Sequence, residues 1–381
     1  MGATVRLGRG RDPDGLALAA ARLPLVPAAG DGGGMSEAGG RTGHEVLTMD
    51  DVARASGVSR ASVSRVLLGQ KKVSEETRRK VLAAAEELGY VPNVLASGLA
   101  SRGTSTLGLL LRDAANPAYG LLFTELQNAA RAAGLTIVSM TVTTDDRGKR
   151  QVASLHRLMG MRVAGLIVAT GDVTSEQLEP FRAKVPIMRA GRPETTDSIH
   201  AVSYDEDHAG RTLAAHVAAC GHRSVAVLVT AAERSYPEYV RGTAMAAELA
   251  ARGVSIVPVP VVGPTEGTAE AVDLVRRGAV SAVMCPSDLR QLELLRGLRA
   301  AGLSAPEDVS VSGCDGILPG ADLLGLTTYR IPVESLAART VAHMAGLVAA
   351  PTGAVVQERL PGRLVPGRTV GPPPRSAAGT P

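Results

Sequence analysis

Beyond residue 105, short runs of Val, Leu and Ile alternate with longer segments rich in Ala and Leu. The short runs, such as AGLIVAT at 164–170, have the length of buried strands, and the longer ones, such as 239–253, have helical spacing. Repeated strand–helix–strand order predicts parallel sheets with right-handed crossovers. The alternation continues past residue 300, which is too long for one sheet. The sequence therefore predicts an α/β fold with two doubly wound lobes and ligand sites at the carboxyl ends of the strands.

Three short helical patterns precede this alternation. Thr48 begins the first, and Asp51 follows at the spacing of a capping box. Gly57 supplies a turn, and Ser59 caps a second helix over residues 60–68. Helix, glycine-containing turn and helix at this length is the pattern of a helix-turn-helix, although a module of three packed helices would show the same pattern.

A third helix is capped by Ser74 and ends at Gly89. Its apolar positions predict an inner stripe of Val81, Leu82, Ala85 and Leu88. Nine basic and six acidic side chains between residues 46 and 102 leave a charge of +3 there, against +4 for the whole chain. The positive excess is concentrated in one segment, as phosphate binding requires, although solvated helix faces would show similar charge.

This segment resembles the DNA-binding head of the lac/gal repressor (LacI/GalR) family. Residues 48–67 match T-x-x-D-V-A-x-x-x-G-V-S-x-x-[ST]-V-S-R-V-L, and the match continues through V-S-E-E-T-R to G-Y-x-P-N at residues 89–93. The resemblance implies that Arg60, Ala61 and Arg65, in the opening turns of the second helix, enter the major groove. Either arginine can pair with guanine, and Ala61 can meet a thymine methyl group. It also assigns phosphate contacts to several residues, for which helix capping is an equal explanation: Thr48, Ser59, Ser62, Ser74, Thr77 and Asn93.

Residues 90–104 correspond to the hinge helix of the family, which orders only on DNA. A helix this short is marginal alone in water. The family's usual A-R-S-L is here Ala96, Ser97, Gly98 and Leu99, so ordering the hinge should cost more. The matching Leu99 is expected to enter the minor groove and unstack a central base step, although it could instead be a linker residue that contacts the next domain.

The resemblance continues to about residue 370 and implies a pair of lobes like those of periplasmic binding proteins, with late segments crossing back between them. The residues implied to contact an effector are Arg112, Tyr119, Gly191, Tyr239, Ser287, Asp288 and Asp315. For Asp288 and Asp315, which both follow strands, capping of the following helix is the alternative. Three of these positions depart from the family, because Gly191 replaces an aspartate, Tyr239 the ligand-clamping arginine and Ser287 an asparagine. Loss of that arginine removes a bidentate anchor, which puts a typical sugar effector in doubt.

Other function classes lack their sequence signatures. Cys220, Cys285 and Cys314 are widely spaced without a metal-ligand pattern, which fits free thiols in a reducing cytoplasm. We find no phosphate-binding loop, nucleophile motif or metal set, and the acids at 205–207 have the pattern of an ordinary turn. No apolar run is long enough for a membrane span. The sequence therefore predicts neither an enzyme nor a cofactor or metal site.

The chain is thus expected to divide into a disordered extension or over-extended start (1–45), a helix-turn-helix head (46–89), a hinge (90–104), the two lobes (105–366) and a disordered tail (367–381). The tail carries no leucine heptad, so we expect a homodimer rather than a tetramer. The predicted function is a cytoplasmic DNA-binding repressor whose affinity for a palindromic operator responds to a small molecule, a sugar or another metabolite. A solute-binding protein of a transporter is the alternative.

Overall fold

A computed structural model describes residues 47–67, 73–91, 105–141, 149–194, 196–261, 263, 267–350 and 353–374. The chain divides into two compact units, a head that ends at Tyr90 and a larger core that begins at Val91. The extension at 1–45, hinge residues 92–104 (with Asn93 and Leu99) and the end of the tail from residue 375 lie outside the described residues.

The head consists of three helices, α1 (Met49–Ser56), α2 (Arg60–Leu67) and α3 (Glu75–Leu88). The Asp51 carboxylate accepts hydrogen bonds from the backbone N–H and the hydroxyl of Thr48, at 2.9 and 2.7 Å. Ser59 and Ser74 cap the next two helices, as predicted, by accepting the N–H groups three residues later. Gly57, at φ 67°, ends α1 in the left-handed conformation that glycine adopts without strain.

Valines dominate the core of the head. Val52, Val63 and Val81 are fully buried, one from each helix, and small alanines of α3 complete the cluster. The predicted stripe of α3 was wrong at one position, because Leu82 is 50% exposed and Ala84 is buried in its place. The small head can bury only a narrow face of α3, and the short side chain of Ala84 allows α3 to approach its neighbours closely.

The first lobe of the core is a six-stranded parallel sheet. Its strands are β1 (Thr106–Leu111), β2 (Thr136–Thr141), β3 (Gly165–Ala169), β4 (Ile187–Gly191), β5 (His200–Tyr204) and, much later in the chain, β11 (Gln357–Leu360). Their order across the sheet is β11-β5-β4-β3-β1-β2. The helices of this lobe are α4 (Pro117–Ala132), α5 (Lys149–Gly160), α6 (Ser175–Arg182) and α12 (Val333–Ala349).

The second lobe is a four-stranded parallel sheet in the order β7-β6-β8-β9. Its strands are β6 (Ser224–Thr230), β7 (Ser255–Val261), β8 (Ala282–Met284) and β9 (Ser310–Ser312). Its helices are α7 (Glu206–Ala219), α8 (Tyr236–Ala251), α9 (Thr268–Arg276), α10 (Asp288–Ala300) and the single turn α11 (Ala321–Leu324). The fold class predicted from the alternating pattern is therefore confirmed.

The chain crosses between the lobes three times. It passes from β5 directly into α7, returns through β10 (Thr328–Arg330) to α12, and crosses again from β11 to β12 (Arg363–Val365). Strands β10 and β12 pair antiparallel beside the first crossing. The Tyr329 hydroxyl joins the three connections, because it accepts the Gly362 N–H at 2.6 Å and lies 2.8 Å from His208 Nδ1. The prediction that late segments cross back is confirmed.

The predicted start of the disordered tail at residue 367 was wrong. Thr369 is buried, and its carbonyl accepts the Val311 N–H at 2.6 Å, which fixes this segment beside β9. Gly371 continues the attachment through hydrogen bonds with Ser310 and His222. The Pro- and Gly-rich composition suggested disorder, but these backbone groups are paired by the second lobe through residue 371. Within the described residues, no helix is long and apolar enough to cross a membrane.

Candidate functional site

Helix α2 exposes the three side chains that the sequence assigns to base reading. Ala61 and Arg65 are exposed, and Arg60 lies 3.5 Å from the exposed carboxylate of Asp50. Arg65 makes no hydrogen bond or ion pair with any part of the chain that the structure describes. An exposed guanidinium on a rigid helix keeps its five N–H donors free for an external acceptor. The predicted DNA-reading residues are therefore all exposed on α2, with Arg60 and Ala61 in its first turn and Arg65 in its last.

The hydroxyl residues of the head are engaged in capping. Ser59 Oγ accepts the Ser62 N–H at 3.2 Å, and Ser74 Oγ accepts the Thr77 N–H at 3.3 Å. Hydrogen bonds from Thr48 hold the pKa of Asp51 below its usual value. Capping of this kind is compatible with phosphate binding, since it leaves the first backbone N–H groups of each helix directed outward. Phosphate contact by these residues stays a prediction.

A cavity of about 650 Å³ lies between the two lobes. It is lined on one side by residues that follow the carboxyl ends of β3 and β4, and on the other by the N-terminal turns of α8 and α10. This is the edge at which parallel sheets bind ligands. The cavity contains three of the chain's six tyrosines, Tyr119, Tyr204 and Tyr236. Burial raises the pKa of Tyr119 and Tyr204, so both hydroxyls are protonated hydrogen-bonding groups at neutral pH.

The floor of the cavity is a buried ionic triad. The Arg241 guanidinium of α8 forms a bidentate pair with Glu206, donates to Asp315 at 2.7 Å and donates to the Pro286 carbonyl at 3.0 Å. Burial raises the pKa of Asp315 to about 7, and Arg241 opposes that rise. Asp315 has a φ of 121°, which is strained for a residue with a side chain. Glu206 begins α7 at the first crossing, and the backbone of Asp315 is hydrogen-bonded to Tyr329 and Ile331 of the second, so the triad ties both crossings to the second lobe.

A second ionic cluster lines the side of the cavity that belongs to the second lobe. Glu238 accepts hydrogen bonds from the Thr230 and Ser287 hydroxyls at 2.7 and 3.1 Å, and from Arg290 at 2.9 Å. Its carboxylate is therefore surrounded by donors of the protein itself. Hydroxyls that are already paired in this way hold the cluster rigid rather than leaving it free for a ligand.

Comparison with known proteins identifies both units. The model of bacterial regulatory proteins of the lacI family matches residues 48–93, and the model of the periplasmic binding protein-like domain matches residues 214–370. The catabolite control protein A of Priestia megaterium is 30% identical over 277 residues, which cover 71% of this chain and 82% of that protein. The chain belongs to the lacI family of bacterial regulatory proteins. It is a DNA-binding transcriptional regulator with a ligand-binding domain.

Two further similarities agree with this assignment. The transcriptional repressor PurR of Photobacterium profundum is 29% identical over 284 residues, which cover 71% of this chain and 83% of that protein. A lac repressor dimer, solved bound to operator and an anti-inducer, has the same fold, with a TM-score of 0.75 at 24% identity over 86% of this chain and 100% of that chain. The head argues against the alternative of a transporter's solute-binding protein, since such a protein needs no DNA-binding unit.

Five of the seven residues assigned to the effector by resemblance to the family line the cavity: Arg112, Tyr119, Gly191, Ser287 and Asp315. Two do not. Tyr239 is 38% exposed, and Asp288 is fully buried. The Asp288 carboxylate accepts the Thr328 hydroxyl at 2.6 Å and the Gly316 N–H at 2.7 Å, so it fastens a crossing. Neither of these two residues lines the cavity, and ligand contact stays a prediction for all seven.

Sequence reasoning missed the charged residues that define this lacI-family cleft. The acids at 205–207 were interpreted as turn chemistry, which describes Asp205 but not Glu206. The available signal was Arg241, a charged residue two positions after the unexpected Tyr239 and within a helix of small side chains. Pairing an acid at the start of α7 with this arginine required knowledge that α7 and α8 are adjacent. Arg192 and Tyr236 were also missed.

Proposed function

We propose that this chain is a repressor that binds a near-palindromic operator as a homodimer, in the cytoplasm, and whose operator affinity changes when a small molecule occupies the interlobe cavity. The exposed face of α2 is the observation that carries the proposal. There Ala61 and Arg65 project from a preformed helix that Val63 and Val66 anchor to the core of the head. The catalytic motifs that the sequence lacks are not needed for such a role.

Base reading follows from the chemistry of these side chains. An arginine in the major groove can donate two parallel hydrogen bonds to O6 and N7 of guanine, and an alanine can contact only the methyl group of thymine. With no partner among the described residues, all five N–H donors of Arg65 are available to bind DNA, whereas Arg60 must first break its contact with Asp50. We therefore expect Arg65 to supply the larger share of base discrimination.

The dimer sets the symmetry of the operator. The lac repressor whose fold this chain shares was solved as a dimer on operator. Two heads related by a two-fold axis require two inverted half-sites, and a wedge residue between them favours a deformable pyrimidine–purine step at the centre. We assign the wedge to Leu99 by its match to the family motif.

Effector control follows from the position of the cavity. The Arg241 triad that forms its floor contains Glu206 of the first crossing and is hydrogen-bonded to the second through Asp315, so a ligand there acts where the angle between the lobes is set. A ligand changes operator affinity only if it binds the DNA-competent and DNA-incompetent conformations with different affinity. A ligand that contacts both lobes at once satisfies that condition, because the geometry of its contacts changes when the lobes move.

Selection from a random duplex library with the full-length protein tests the proposal. We expect enrichment of a sequence with two inverted half-sites. Arg65→Ala should then relax the preference at one base pair of each half-site, at a cost of about 1–3 kcal/mol per half-site. The matched control is Arg79→Ala, which removes the same charge from an exposed position of α3 and should affect all sequences alike. Enrichment of no sequence, or an equal loss across all sequences for Arg65→Ala, would refute the assignment.

A further inference from the structure

Arg192 reaches across the cavity from the first lobe to the second. It follows β4 directly, its Nη1 donates to the Gly171 carbonyl at 2.6 Å, and its guanidinium carbon lies 4.6 Å from the ring centroid of Tyr236. Tyr236 is the first residue of α8 and belongs to the second lobe. The contact is therefore a cation–π interaction between lobes at the cavity wall.

No carboxylate of the described residues contacts Arg192, whereas the other partly or fully buried arginines of the cavity each contact one. Arg112 lies 3.5 Å from Asp172, Arg241 is paired with Glu206 and Asp315, and Arg290 is paired with Glu238. Arg234 and Arg296 also line the cavity, but their side chains are exposed to water. Among the described residues, Arg192 is the only partly buried arginine of the cavity that no carboxylate contacts.

Partial burial of the Arg192 guanidinium costs free energy that its contacts do not fully offset. Its guanidinium does not lose its proton near neutral pH, so burial penalises the charge directly. Burial and the nearby Arg189 lower the pKa of Arg192. One carbonyl and one ring face offset that cost only in part, because within the described part of the chain the Gly171 carbonyl is the only acceptor that contacts its five N–H donors. An oxyanion is the group that fits the fork of a guanidinium with two parallel hydrogen bonds.

We infer that the effector carries a carboxylate or phosphate group, and that Arg192 binds this group against the N-terminal turn of α8. The inference rests on the proposed function, since it names the ligand class of the same cavity. The anchoring arginine then comes from the first lobe, whereas position 239 in the second lobe has lost it. Binding an oxyanion beside Tyr236 changes a contact between the lobes, which is how the ligand would alter their relative orientation.

The test separates metabolites by charge. A small-molecule extract of cells is divided on an anion-exchange resin at neutral pH, and each fraction is tested for its effect on binding of the selected operator by the full-length protein. We expect the activity only in the retained, anionic fraction. Phosphatase treatment then distinguishes the sources, because a phosphate ester loses its effect and a carboxylate keeps it. Activity in the neutral flow-through, or in neither fraction, would overturn the inference.

Substitutions of Arg192 test whether this side chain binds the anionic group of the effector. Arg192→Gln should raise the extract concentration that gives half of the effect at least tenfold, and Arg192→Lys should recover part of it by restoring the charge without the fork. The control Arg296→Gln removes an exposed arginine of the same cavity and should respond like the wild type. An unchanged response of Arg192→Gln would also overturn the inference. Operator binding is measured in parallel with and without extract, and a failure to bind in both conditions would refute the proposed function instead.

Discussion

Removal of Arg241 should destabilise the core through charge rather than through packing. Arg241, Glu206 and Asp315 have side chains that are only 5, 4 and 16% exposed. Arg241→Met keeps most of the volume of the side chain but leaves two buried carboxylates without their cation. Breaking a buried pair on one side costs about 3–5 kcal/mol, because the remaining charge is neither solvated nor paired. Urea unfolding of the full-length protein, followed by circular dichroism, measures this loss.

The pH dependence of that loss identifies its cause. Burial already raises the pKa of Asp315 to about 7 with Arg241 in place, so removal of the guanidinium raises it further. A carboxyl group with a raised pKa in the folded state takes up a proton as the pH falls, and the cost of its buried charge then disappears. The deficit of Arg241→Met should therefore be larger at pH 8.5 than at pH 5.5. An equal deficit at the two pH values would refute the reasoning.

Two controls separate the triad from a general effect of losing an arginine. Adding Glu206→Gln to Arg241→Met removes one of the two orphaned charges and should restore roughly 1–2 kcal/mol, since a neutral amide costs less to bury than an ion. Arg296→Met removes a guanidinium whose side chain is 76% exposed and 3.6 Å from Glu293. Exposed pairs contribute about 0–1 kcal/mol, so this variant should unfold almost as the wild type does. A double variant that is less stable than Arg241→Met would contradict the account.

Three further substitutions test the core of the head and the role of Asp288. Val63→Ala removes two methyl groups from a fully buried position and should lower the free energy of unfolding of the head by about 2 kcal/mol. A lower temperature for loss of operator binding measures this change. Leu82→Ala, at a half-exposed position, should change the free energy of unfolding by less than about 0.5 kcal/mol. Asp288→Ala leaves the buried donors of Thr328 and Gly316 without their acceptor, so urea unfolding should show a loss of about 1.5–3 kcal/mol while the selected operator sequence stays the same. An altered operator preference for Asp288→Ala, or equal effects of the two head variants, would contradict these assignments.

The sequence by itself determined the local elements and the class of fold. Caps at Thr48, Ser59 and Ser74, and glycines at the helix ends, placed the head helices to within a residue or two, because capping depends on residues close in sequence. The strand–helix alternation was sufficient for two parallel sheets, since both periodicities are local. The late elements α12 and β11 were not predicted as such, because their pairing with the first lobe depends on partners far away in the chain.

Only the tertiary structure decided how the charges of the cleft are used. Glu206, Arg241 and Asp315 are far apart in sequence, and nothing in their local spacing shows that one guanidinium serves both acids. Asp288 begins a helix just past a strand, as a ligand-facing residue would, yet Thr328 of a crossing and Gly316 after β9 occupy its two oxygens. Arg192 became a candidate anchor only when every other buried arginine of the cavity proved to be paired. Pairing of buried charges is a property of the folded chain, because it depends on which distant segments the lobes bring within hydrogen-bonding distance.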